Sequence, residues 1–280
     1  MKALIVINAF YTSQASAHQC RRMKEELEKR GVESEVLAFS RPWGCQKIPK
    51  ADFAVFFDKD VAFCMALEKE GIKVFNGSEG TENADDKIKT AVILSSLGLP
   101  MPKTLASPKR YVYEKDNSVY DYLIEELGLP LVVKKARSSL GMGVYLAKTK
   151  AELIELDEET GAEEKLFQSY EKGSKGESYR VIVVGGKAVA SMRLKSENDF
   201  RSNAHNGGIA EKAILSKEYL SLAEKAAECL KLDYCGVDLF CDQPSIIEVN
   251  GNAYFENAER VSGINIAGVY AEYILEKIRR

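Results

Sequence analysis

Two carboxylates and a side-chain amide, Asp238, Glu248 and Asn250, lie in a stretch whose pattern folds them towards one another. Residues 236–250 read Gly-Val-Asp-Leu-Phe-Cys-Asp-Gln-Pro-Ser-Ile-Ile-Glu-Val-Asn. Val237, Leu239 and Cys241 alternate with Gly236, Asp238 and Phe240. Ile247 and Val249 alternate with Ile246, Glu248 and Asn250, the period of two of half-buried strands. Asp-Gln-Pro-Ser marks the turn of a hairpin. A loop with an odd number of residues, Asp242 to Pro244, sets Cys241 against Ser245 and Asp238 opposite Glu248, with Asn250 next along the same face. Like charges opposed in a sheet repel, so a cation between them explains the pattern. An all-oxygen set suits Mg²⁺ that shares its coordination with water and phosphate. A solvated polar face on an edge hairpin explains the same residues, and the hairpin alone does not choose between the two.

The other chemistry-bearing residues narrow the field. With His18 and His205 as the two histidines in 280 residues, a zinc site or a Ser-His triad has little material. The six cysteines, Cys20, Cys45, Cys64, Cys229, Cys235 and Cys241, form no C-x-x-C pair and sit in apolar patterns, as expected of reduced core residues. A net charge of −3 and a pI near 5.7 argue against a nucleic-acid partner, because phosphate-backbone binding relies on clustered Lys and Arg. Composition, 45% apolar and 29% charged, is that of a globular protein with a sizeable core. Lys2 to Phe10 is apolar without a following small-residue cleavage site, and no run approaches a membrane span. It is expected to be the first strand of a cytoplasmic protein without a membrane partner.

The elements that must position these residues begin with an alternation of β and α. Ala3 to Ile7, a helix from about Ser13 to Arg30 closed by Gly31, Glu35 to Phe39, Phe53 to Phe57, a helix from about Asp60 to Glu70, and Lys73 to Phe75 predict a parallel sheet. Such sheets bind ligands beyond the carboxyl ends of their strands, which points to Asn8, Ala9 and Phe10. An ordinary strand-to-helix connection is the other reading there. Asn83 to Asp86 offers N-caps for a helix to about Leu97, and a boundary near residue 85. Residues 131–147 predict strand, Gly-rich turn, strand, with Lys134 at the foot. This is neither a Walker loop nor a dinucleotide fingerprint. A strand to Gln168, a polar loop from Ser169 to Gly176, and a hairpin from Tyr179 to Met192 turning at Gly185-Gly186 follow. Then come a polar segment at 199–208, a helix from Ser216 to Leu230, the metal hairpin, and a last helix from about Asn265 to Ile278. The units expected are 1–85, 86–168 and 169–280.

Asp86-Lys87, Pro130-Leu-Val-Val-Lys134, Gly141-x-Gly143-Val144, Phe167-Gln168-Ser169-Tyr170, Asp199-Phe-Arg-Ser-Asn203 with Gly207-Gly208, Gly236-Val-Asp238 and Glu248-Val-Asn250 occur in this order. Together they resemble the ATP-grasp superfamily, and more narrowly the RimK-type α-L-glutamate ligases. The resemblance runs from about Asp85 to the C-terminus. It implies an ATP-grasp fold behind an N-terminal, Rossmann-like parallel-sheet domain, and an ATP- and Mg²⁺-dependent, ADP-forming ligase that joins a carboxylate to an amine.

In that resemblance Lys87 and Lys134 neutralise the α- and β-phosphates. Ser139, Gly141 and Gly143 belong to a clamp that closes over the phosphates, glycine letting backbone N–H groups approach the anion. Gln168, Ser169 and Tyr170 hold adenine, and Glu177 or Ser178 serves the ribose. Arg201, Ser202 and Asn203 contact the triphosphate. Asp238, Glu248 and Asn250 bind two Mg²⁺ or Mn²⁺ ions. Arg180 and Arg193 lie on facing strands and, if they share a face, stabilise the acyl phosphate and the later tetrahedral oxyanion. The amine implied is L-glutamate. The acceptor is a carboxylate of a peptide, protein tail or cofactor, and the assembly a homo-oligomer.

The chain departs from the family pattern at Ser169 and Ser138, at Ser178, where an acid is usual, and at Asn206, where relatives often carry Arg. Three other readings stay open: a LysX-type ligase that works through a carrier protein, a non-catalytic ATP-binding regulator, and a phosphoryl transferase acting on a small alcohol.

Overall fold

The computed structural model describes residues 1–11, 13–42, 44–139, 141–173, 176–196 and 209–279, and the strands among them form three sheets. The first is parallel, as the alternation predicts. Strands β1 (Lys2–Asn8), β2 (Glu33–Phe39), β3 (Phe53–Phe56) and β4 (Lys73–Phe75) lie in the order β2-β1-β3-β4. Helix α1 (Gln14–Lys29) opens on a capping box in which Ser13 and Ser16 satisfy each other's backbone N–H, and it ends before Gly31, whose φ is +75°. Cys20, Met23 and Leu27 form its buried stripe. Helix α2 (Val61–Lys69) is capped by Asp60.

Two helices follow where one was expected. Helix α3 (Ser78–Asp85) occupies a stretch to which the sequence pattern assigns no element of its own. Asp86 alone caps the next helix, α4 (Lys87–Ser96), its Oδ1 accepting from the Ile88 and Lys89 N–H groups at 2.9 and 3.2 Å. The Asp-Lys pair therefore has a local reason: the carboxylate fixes the helix start, and Lys87 is the first residue of that helix.

The second sheet is antiparallel: β5 (Thr104–Ala106), β6 (Leu131–Lys135), β7 (Val144–Ala147) and β8 (Lys165–Ser169), in the order β5-β8-β6-β7. Helices α5 (Asn117–Leu127) and α6 (Lys150–Thr160) cover it, Tyr120, Leu123 and Leu153 packing on Leu131, Val133 and Phe167. Each such side chain, fully buried, contributes about 1.5–3 kcal/mol. Beneath this layer lies a charged knot. Lys165 and Asp157, both 0% exposed, pair at 2.8 Å, and Asp157 also accepts from Arg110 at 2.9 Å and Tyr120 at 2.8 Å.

The third sheet is also antiparallel, with β9 (Glu177–Val184), β10 (Lys187–Lys195), β11 (Ile209–Lys212), β12 (Tyr234–Leu239) and β13 (Ile246–Asn250) in the order β11-β10-β9-β12-β13. Helix α7 (Lys217–Cys229) packs on one face, against Val181, Val183, Cys235 and Val237. The other face, with Ile182, Val184 and Tyr234, meets α1, α8 (Phe255–Ser262) and α9 (Ile266–Arg279) in a core that continues to Ile5, Phe53 and Val55 of the first sheet. The cysteines depart from the expected pattern. Cys20, Cys64 and Cys235 are buried, whereas Cys229 and Cys241 are half-buried and Cys45 is exposed; all are free thiols.

Two bulges decide which side chains meet. In the β9–β10 hairpin, Gly185 and Gly186 both take positive φ, and Val184 pairs with Lys187. Undisturbed, that register sets Arg180 against Ser191 and leaves Arg193 on the same face as Arg180. A bulge between Ala188 and Ala190 shifts the pairing by one residue, so Arg180 opposes Met192 and Arg193 opposes Tyr179. The condition that the two arginines share a face is therefore not met. In the β12–β13 hairpin, Asp238 does oppose Glu248, for a different reason from the one the sequence suggested. Leu239 pairs with Ile246 and the Phe240 N–H donates to the Ser245 carbonyl, so the loop is even and a bulge restores the register before Glu248.

Candidate active site

One row of side chains crosses the third sheet from edge to interior. Glu248 on β13, Asp238 on β12, Arg180 on β9 and Met192 on β10 are successive cross-strand partners on one face. Arg180 grips Asp238 with a bidentate pair, Nε to Oδ1 at 2.6 Å and Nη2 to Oδ2 at 2.7 Å. Asn250 donates to Asp238 Oδ2 at 3.2 Å. Gly236 stands next to Asp238 on the row's flank because a Cβ there would lie 2.7 Å from the Ala253 Cβ and 3.3 Å from Arg180 Cδ.

The electrostatics separate the two carboxylates. Burial lifts Asp238 above the ordinary carboxylate value even with Arg180 against it. Glu248 ends below its ordinary value: burial opposes ionisation, and Lys87, Lys134, Lys59 and Arg180 more than offset it. Lys87 Nζ lies 3.4 Å from Glu248 and donates to the Ser138 carbonyl at 2.6 Å. Lys134 is pushed down to about 8 by burial, with Glu248 holding its proton and Lys87 repelling it.

Lys87, Lys134, Gln168 and Glu248 line one cleft between the second and third sheets, with Leu94, Met101, Leu166 and Ile247 as its apolar walls. This narrow slot, about 30 Å³, brings two lysines and a carboxylate together among aliphatic walls. The Gly-rich turn over it is tight: Met142 N–H donates to the Ser139 carbonyl at 3.0 Å, and Gly141 and Gly143 take φ of +75° and +73°. At Gly143 a Cβ would also meet the Lys135 side chain at 3.0 Å. Arg137, at the foot of the turn, reaches Glu82 at 2.8 Å and Asp85 and Asp86 at 3.3 Å each.

Other expected residues are placed differently. Gln168 donates to Thr104 Oγ1 at 2.9 Å, while the Ser169 N–H donates to the Lys103 carbonyl at 2.9 Å. Tyr170 is half-buried just beyond β8. Ser178 is fully buried, and Glu177 is engaged by Arg193 and, at 3.7 Å, by Lys195. Arg193 thus belongs to the face opposite the Asp238–Glu248 row. Arg201, Ser202 and Asn203 lie outside the described residues.

A cavity of about 490 Å³ opens on the far side of Glu248, Asn250 and Arg180, walled by Asn252, Tyr254, Met192 and Leu194 and by Ser13 and Gln14 at the start of α1. Asn8, Ala9 and Phe10 do not line it. Asn8 Oδ1 accepts from the Phe10 N–H at 2.9 Å, and Phe10 is 83% exposed. The segment that follows the first parallel strand does reach this cavity, but through Ser13 and Gln14, a few residues later. Lys59, which pairs with Asp85 at 2.8 Å and favours the ionised Glu248, escaped the sequence reading because its partners are remote in the chain.

The donor set fits a hard cation. Asp238, Glu248 and Asn250 lie on one sheet face, two carboxylates and a side-chain amide whose Nδ2 donates to Asp238, and among the described residues no group of three or more His, Cys, Asp and Glu side chains could hold a metal.

Comparison with known proteins gives the same answer. The RimK-like ATP-grasp domain family matches residues 84–274. A probable alpha-L-glutamate ligase of Thioalkalivibrio sulfidiphilus is 34% identical over 83% of this chain and 76% of that protein. Human N-acetylaspartylglutamate synthase A is 32% identical over 78% of this chain and 56% of its own length. The crystal structure of D-alanine–D-alanine ligase from Bacillus anthracis, 22% identical, superposes with a TM-score of 0.78 over 100% of this chain and 98% of that one, and so shares the fold. On these matches the chain belongs to the RimK-like ATP-grasp family, as an ATP-dependent, ADP-forming carboxylate–amine ligase.

Proposed function

We propose that this ligase adds L-glutamate, through its amine, to a carboxylate of a peptide, protein tail or small molecule. The names of its relatives favour glutamate. The observation that carries the site assignment is the row Glu248–Asp238–Arg180 between the lysine-lined cleft and the open cavity. In this reading 1–85, 86–168 and 169–280 act as three units, nucleotide lying between the second and third.

Lys87 and Lys134 meet the phosphates, with Ser139, Gly141 and Gly143 above them and Gln168 to Tyr170 at the adenine. Asp238, Glu248 and Asn250 hold Mg²⁺, which, when bound, offsets charge on the phosphates. The acceptor carboxylate enters from the cavity, and its oxygen attacks the γ-phosphorus as ADP leaves. The glutamate nitrogen then attacks the acyl carbon, phosphate departs and the amine loses its proton. Arg180, held rigidly by Asp238, presents positive charge where the acyl oxygen becomes an oxyanion. Arg193, on the other face, fixes Glu177 instead. Apolar Met192 and Leu194 on the cavity wall help keep water from the acyl phosphate.

The test is Mg²⁺-dependent ADP release with single amino acids and candidate carboxylates, followed by mass analysis. A product heavier by one glutamyl residue supports the reading. ADP release with another amino acid and none with glutamate refutes the choice of amine.

A further inference from the structure

We propose that Asn76, at the end of β4, is a positioning residue for the ligase reaction, holding the hairpin that carries Asp238, Glu248 and Asn250 in register with the first sheet. This rests on the metal reading of that hairpin. Asn76 is 4% exposed. Its Oδ1 accepts from the Asp233 N–H at 2.7 Å and the Tyr234 N–H at 2.9 Å. Its Nδ2 donates to the Tyr234 carbonyl at 2.8 Å and the Gly251 carbonyl at 2.8 Å. Tyr234 begins β12 and Gly251 directly follows Asn250 at the end of β13. One side chain thus joins both open ends of the hairpin and uses all of its hydrogen-bonding capacity to do so.

No other residue type supplies two acceptor positions and two donors at this reach; Gln is longer by a methylene. The surroundings leave no slack. A Cβ on Gly251 would meet the Ala84 Cβ at 3.3 Å, and one on Gly80 would lie 2.5 Å from the Lys231 carbonyl oxygen, so α3 is pressed against the turn that leads into β12. From Asn76 the chain runs through α3 directly to Asp86 and Lys87. The same short segment therefore sets the hairpin ends and the lysine that faces Glu248. Removing the Asn76 amide frees the hairpin ends from that segment and loosens the spacing of the three oxygen ligands. Supporting groups behind metal ligands typically alter metal affinity by about 10–100-fold.

The experiment is a Mn²⁺ titration followed by electron paramagnetic resonance, with ADP bound, on wild type, Asn76→Ala, Glu248→Gln and Asn83→Ala, together with thermal melting and nucleotide affinity in chelator. Asn83 is a buried amide of the same interface that donates to the Leu230 carbonyl at 3.4 Å. Asn76→Ala is expected to weaken Mn²⁺ binding about tenfold, with metal-free nucleotide affinity unchanged. Asn83→Ala is expected to lower the melting temperature and leave Mn²⁺ affinity alone. If Asn76→Ala does not fold, Asn76→Asp, which keeps the oxygen acceptor and loses both donations, is measured in its place with the same expectation. A folded Asn76 variant with wild-type Mn²⁺ affinity, beside a Glu248→Gln that has lost it, overturns the positioning role. Retained Mn²⁺ affinity in Glu248→Gln overturns the metal reading of the hairpin, and the role of Asn76 with it.

Discussion

Glu248 and Lys134 show how much one residue's surroundings decide. Glu248 is kept ionised by a ring of cations, so its removal changes the chemistry more than the fold. Glu248→Gln is expected to reduce ADP release at least 100-fold while the melting temperature stays within a few degrees; wild-type turnover would remove it from the site. Lys134 behaves differently because burial has pushed it down to about 8. In its proposed role Lys134 meets phosphate as the protonated ammonium, so ATP affinity of the free enzyme is expected to fall as pH rises through 8. In Lys134→Met affinity is expected to drop about 10–100-fold, equivalent to losing a charged hydrogen bond of roughly 1.5–3 kcal/mol, and to lose that pH dependence. Calorimetric titration with ATP across pH 6.5–9.5 in both proteins separates the two effects.

Elements explain where sequence reading succeeded and where it did not. The parallel sheet was legible because each strand and helix carried its own period and cap: Ser13, Asp60 and Asp86 mark helix starts at or within a residue of where the pattern places them. Pairing across strands was less legible. The bulge in β10 adds no distinctive residue between Ala188 and Ala190, yet it sends Arg193 to the opposite face. The bulge in β13 happened to restore the expected Asp238–Glu248 pair from a loop of the wrong parity. Asp157 and Lys165 were invisible because neither sits in a motif, and their pairing depends on packing between α6 and β8.

That pair yields a prediction at this scale. Burial raises the Asp157 pKa, and Lys165, Arg110 and Tyr120 more than reverse the effect, leaving it below the ordinary carboxylate value. Its contribution to stability is therefore present above the ordinary carboxylate pKa and is lost as pH falls through the depressed value, below about pH 4. Asp157→Ala, which strands a buried lysine, is expected to cost about 3–5 kcal/mol at neutral pH and to flatten the acid side of the stability profile, measured by urea unfolding between pH 3 and 7.

At the scale of the whole molecule the cores do not follow the three sheets. One core passes from the first sheet through α1, α8 and α9 into the third, while the second sheet keeps a core of its own beneath α5 and α6. Amides of β1, β3 and β9 are therefore expected to exchange through a common opening in mild denaturant. Those of β6 and β8 are expected to open separately and at lower free energy. Hydrogen exchange read by mass spectrometry distinguishes this from a single transition shared by all three sheets.

The two contacts of Lys87 bear on timing as well as place. Its ammonium is hydrogen-bonded to the Ser138 carbonyl at the root of the Gly-rich turn and also faces Glu248. If Lys87 meets the phosphates as proposed, an arriving phosphate competes with that carbonyl for the same protons. On that reading nucleotide occupancy and the resting position of the turn are thermodynamically linked, and the linkage is reciprocal: whatever factor the resting contact takes from nucleotide affinity, bound nucleotide takes from the resting contact. In its proposed role the lysine that meets the phosphate would in this way also be the latch that its arrival releases.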